Sequence, residues 1–106
     1  MLIRFDSEVG SLTMFGEPAL TLIRMMGHSG TVPSAILAED VPAALGKLRA
    51  ALDGYVEPPP QAKSADEETE KEWVPLRRRA FPLIKLLEDA AKREAAVMWD
   101  RARSFT

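Results

Sequence analysis

The first residues alternate. Met1, Ile3 and Phe5 are apolar at every second position, with Arg4 and Asp6 among the residues between them, which is the period of a strand with one buried face. The pattern predicts a strand over residues 1–7. Gly10 and Ser11 then predict a turn, and Gly16-Glu17-Pro18 a helix start, because proline's missing N–H would be unpaired in a first turn anyway. The helix runs to about Met26 and stops at Gly27. Its polar positions, Glu17, Thr21, Arg24 and His28, form one narrow stripe. Phe15, Ala19, Leu22, Ile23 and Met26 form its inward face, which Leu20 and Met25 widen. So broad an apolar surface is either sandwiched within the domain or buried against a second copy.

Gly30 to Pro33 is a loop, and residues 34–38, around Ile36 and Leu37, are a short strand or an extended segment. Asp40 is placed to cap a helix beginning Val41-Pro42, whose stripe is Val41, Ala44, Leu45, Leu48 and Leu52 and whose end is Gly54. Ala43, Gly46 and Ala50 give this helix a small-residue face that another backbone could approach closely. From Glu57 the character changes. Pro58-Pro59-Pro60 is stiff, and Gln61 to Glu72 has no large aliphatic residue to offset the entropy of ordering. After Trp73-Val74-Pro75, helical spacing runs from Leu76 through Ala80, Leu83, Leu87 and Ala91. This is one helix over residues 75–93 bent at Pro82, or a helix that starts near Ala80. Residues 95–100 alternate again, with Val97 and Trp99 on one side, as a closing strand whose simplest partner is the first.

These elements make an α+β fold. Residues 1–56 and 73–100 form a single small domain, with first and last strands paired and about three helices packed on one side. Residues 57–72 are a disordered, acidic, proline-led linker and residues 101–106 a tail. Charge sharpens the division: of a net −2 over 106 residues, the linker holds six acids against two lysines, or −4, which leaves +2 elsewhere. Neither figure makes a strong field, and a dedicated nucleic-acid binder is normally far more basic. With no cysteine and one histidine, the chain offers no thiolate or all-histidine metal site, and no cofactor is implied. The first residues are too soon charged for a secretory segment and no run approaches membrane-spanning length, so the cytoplasm is the expected location.

Each candidate for chemistry has a plainer explanation. His28 beside Ser29 pairs a base with a hydroxyl, but no third group or nucleophile elbow accompanies them. Gly27-His28-Ser29-Gly30-Thr31 follows a helix rather than leading into one, so it suits a helix-ending turn better than a phosphate loop. Arg77, Arg78 and Arg79 are the densest positive run and the candidate anion contact, although on a helix they fan through about 200°. Glu88, Asp89 and Glu94 could suggest a metal, yet each has a lysine or arginine near one turn away. Trp99, Met98, Met25 and Met26 could line an apolar pocket or simply fill the core. The candidate interaction surface is Leu20 and Met25 with Ala43, Gly46 and Ala50.

The order Leu2-Ile3-Arg4-Phe5, Thr13-Met14-Phe15-Gly16, Ala38-Glu39-Asp40-Val41-Pro42-Ala43-Ala44-Leu45, Arg79-Ala80-Phe81-Pro82-Leu83-Ile84-Lys85-Leu86-Leu87 and Val97-Met98-Trp99 resembles the proteobacterial family catalogued as domain of unknown function 1840. The resemblance covers nearly the whole chain. Its motifs are packing and capping motifs, so it implies a small bacterial protein of uncharacterised activity, with no catalytic residues to carry over. The expected function is a non-enzymatic interaction or self-assembly module. A small-molecule binder or enzyme with an apolar pocket is the alternative, and a weak nucleic-acid or anionic-partner binder through the arginine run is the third.

Overall fold

Ile3 and Phe5 are fully buried and Arg4 is exposed, so the opening alternation is a strand, β1 (Leu2–Ser7). The computed structural model describes residues 1–56 and 75–104. After the turn at Glu8-Val9 comes β2 (Gly10–Phe15), then α1 (Gly16–Met25), β3 (Ser34–Ile36), a 3-10 turn (Ala38–Asp40), α2 (Val41–Asp53), α3 (Leu76–Arg93) and β4 (Val97–Ala102). The strands form one antiparallel sheet in the order β2-β1-β4-β3, with β1 paired to the closing strand as expected. The helices lie on the face that carries Ile3, Phe5, Val97 and Trp99, and the core is closed by Leu22 and Ile23 of α1, Leu48 of α2 and Leu83 and Leu87 of α3. The linker expected over residues 57–72 lies outside the described residues.

Several expectations need correction. Gly10 and Ser11 are not a turn but the start of β2, whose Leu12 and Met14 face the core opposite Phe5 and Ile3. Phe15 therefore belongs to this strand. It is 46% exposed, and its extended backbone leads directly into α1 instead of joining that helix's inward face. Asp40 makes no side-chain cap, because its own backbone is helical and an N-cap oxygen reaches the next amides only from an extended residue. The segment at 34–38 is a strand over Ser34–Ile36 alone, paired to β4. β4 in turn runs to Ala102, two residues into the expected tail, with Arg101 and Ala102 opposite Ile3 and Leu2. α3 passes through Pro82 without a break, and the ring sits on the solvent side, where water can serve the carbonyl that lost its amide.

Two helices end by the same device. The His28 amide donates to the Ile23 carbonyl and the Gly27 amide to that of Arg24, the paired bonds of a Schellman motif, with Gly27 at φ 90°. At the end of α3 the Ala95 amide donates to Ala90 and the Glu94 amide to Ala91, but the left-handed position is held by Glu94, at φ 52°. A side chain there is strained where glycine is not. Glu94→Gly should therefore raise unfolding stability by about 0.5–1 kcal/mol in urea titration. A loss of stability would show that Glu94 makes a compensating contact.

Candidate functional site

The Schellman turn after α1 carries His28 back over the sheet, where its ring meets Trp99 edge-on at 4.9 Å between centroids. Trp99 is itself buried against Phe5 and donates its indole N–H to the Thr31 carbonyl at 2.8 Å. His28 lies 3.0 Å from the hydroxyl of Ser34, while Ser29 bonds Thr31. The histidine thus faces a serine six residues away, not its neighbour. Its other nitrogen decides the chemistry. Gly30, at φ 95°, a backbone that favours glycine, turns its amide back to donate to His28 Nδ1 at 3.1 Å. Nδ1 must accept, so in the neutral ring the proton sits on Nε2 and points at Ser34. A general base needs the reverse: a lone pair toward the hydroxyl and an acceptor behind. This corner is a structural clasp that ties the loop after α1 to β3 and β4.

The other candidates are dispersed. Arg77 donates to the carbonyls of Leu52 and Tyr55, both at 2.6 Å, and so closes the end of α2. Arg79 lies 5.5 Å over the Phe15 ring, and Arg78 points to solvent. The three do not converge. Glu88 pairs with Arg49 of α2 and Asp89 with Lys85 at 3.2 Å. Among the described residues no three metal-ligating side chains come together. Trp99 and Met26 are core, whereas Met98 follows the strand pleat to the opposite face, so no pocket joins them. An open groove of about 400 Å³ does exist, between the β1–β2 turn and the last turns of α3, lined by Glu8, Val9, Asp89, Lys92 and Arg93. Val9 is the one apolar side chain in it, and small-molecule sites are mostly apolar.

Leu20 and Met25 are half-buried against the core within this chain. Ala43, Gly46 and Ala50 lie on the solvent side of α2, where a Cβ built on Gly46 would meet nothing within 4 Å. The sheet's outer face is legible only from the strand register. By register, Arg4, Thr13 and Asp100 form its middle row, Leu2, Phe15 and Ala102 one end, and Asp6 and Met98 the other with Ala35 of β3 alongside. Met98 is 54% exposed near the start of a regular strand. Arg4 turns along its own strand to Asp6, Nε to Oδ1 at 3.1 Å, and its Nη2 reaches the Ser11 hydroxyl at 3.3 Å.

A family model described as "Domain of unknown function (DUF1840)" matches residues 1–99, from β1 into β4. The chain belongs to the DUF1840 family. No curated protein and no solved structure matches it. Membership in DUF1840 brings no reaction with it, so chemistry has to come from the side chains. In this DUF1840 chain the strongest test of that chemistry is the His28 tautomer. Nitrogen-detected NMR should show Nε2 protonated and Nδ1 bare in the neutral ring. The opposite tautomer would turn a lone pair on Ser34 and restore the serine to candidacy as a nucleophile.

Proposed function

We propose that this chain is a non-enzymatic interaction module that assembles with copies of itself through the outer face of its sheet. One observation carries the reading: all the described helices cover one side of the sheet, and the other presents apolar residues at both ends of a charged middle row. An antiparallel sheet can leave one face to water, and then its outward positions are normally polar. Here Leu2, Ala35, Met98 and Ala102 hold such positions. The reading keeps assembly as the function and moves its surface from the helices to the sheet, since Leu20 and Met25 already pack inside the chain.

Size sets the strength. Three six-residue strands give a face of about 14 by 20 Å, small beside the roughly 800 Å² per partner of a standard interface, so the association is weak and concentration-dependent. The absence of cysteine makes a direct test available, because one introduced thiol labels one site. An environment-sensitive dye on Met98→Cys should shift its emission as unlabelled chain is added, and the same dye on Ala43→Cys, on the exposed side of α2, should not. A shift at position 43 alone would move the contact to the helices. No shift at either position would remove the assembly reading.

A further inference from the structure

The outer face also indicates how two copies meet. Arg4 and Asp100 are direct partners across the β1–β4 pair, yet neither satisfies the other. Arg4 gives Nε to Asp6 and Nη2 to Ser11, and Nη1, which carries two N–H groups, has no partner among the described residues. Asp100 uses Oδ1 to accept the Arg101 amide at 2.7 Å, and its Oδ2 is likewise without a partner there. Donor and acceptor thus stand side by side on one face, one strand spacing apart, about 4.8 Å.

We infer that a second copy of this chain docks face to face on the sheet about a two-fold axis running along the strands between β1 and β4, with Arg4 of each copy bonded to Asp100 of the other. This rests on the assembly reading. A two-fold in that place exchanges β1 with the partner's β4, so each unmatched donor meets an unmatched acceptor, twice, as an isologous contact requires. The same operation sets Leu2 over Ala102, apolar on apolar. Moving the axis onto β1 would instead oppose Arg4 to Arg4, which like charge forbids. The reciprocal pairs fix register and partner, while the Leu2 and Ala102 contacts at one flank supply apolar burial.

Charge reversal tests the axis. Arg4→Asp sets acid against acid twice in a homodimer, and Asp100→Arg sets base against base twice. Each variant alone should weaken the dimer by about tenfold or more in sedimentation, with circular dichroism showing the fold kept. Mixed one to one, the two variants should recover the association, because every contact in the mixed dimer joins opposite charges. A monomeric wild-type chain would overturn both the assembly reading and this inference. A wild-type dimer that survives the single reversals, or variants that stay apart when mixed, would leave assembly standing and overturn the axis alone.

Discussion

The pairing of β1 on both of its edges is the constraint from which the rest follows. β1 holds β2 on one side and β4 on the other, so the first and last strands of the fold are neighbours and their alternation is locked in phase. Ile3 and Phe5 go to the helical side with Met14, Val97 and Trp99, and one-residue slippage would send all of them to the opposite face. Phe5 and Trp99 are direct cross-strand partners with ring centroids 6.0 Å apart, the largest side chains of the core. Fixing them inward fixes Arg4, Met98 and Asp100 outward. The outer face is a consequence of the core.

The helical layer is held by groups that work at its ends. Arg77 reaches from α3 to the carbonyls of Leu52 in α2 and of Tyr55 just past it, and Arg49 answers from α2 to Glu88, so these two helices are tied at two levels. The turn after α1 is clasped to the sheet by His28, Ser34 and Trp99. Two residues that looked chemical in isolation, His28 and Arg77, hold neighbouring elements together. Among the described residues the one buried side-chain polar atom without a hydrogen-bond partner is the Ser7 hydroxyl, at the end of β1.

Much of the fold was legible because it is written in local periods. The alternation of β1, the stripes of α2 and α3, the stop at Gly27 and the closing strand all follow from spacings of two or three to four residues. β2 escaped because it runs into α1 with no loop between them, and Phe15 ends one element while opening the next. The end of α3 carried no glycine signal, since Glu94 occupies the left-handed position. Ser34 as the partner of His28, and the carbonyls of Leu52 and Tyr55 as those of Arg77, depend on tertiary contacts that no window along the sequence contains. The outer face was hidden for a related reason: Arg4, Asp6 and Asp100 look like solvated positions one strand at a time, and only register makes them a surface.

β1 and β4 act as one cooperative element, joined through Phe5 and Trp99. Native-state hydrogen exchange tests it most directly. Amides bonded between Leu2–Asp6 and Met98–Ala102 should exchange only through the largest opening the protein undergoes, with a common free energy and a common denaturant dependence. Release of the β4 amides through a smaller opening, while the bonds from β1 to β2 stay protected, would contradict it. β4 would then be an appendage to a fold that stands without it.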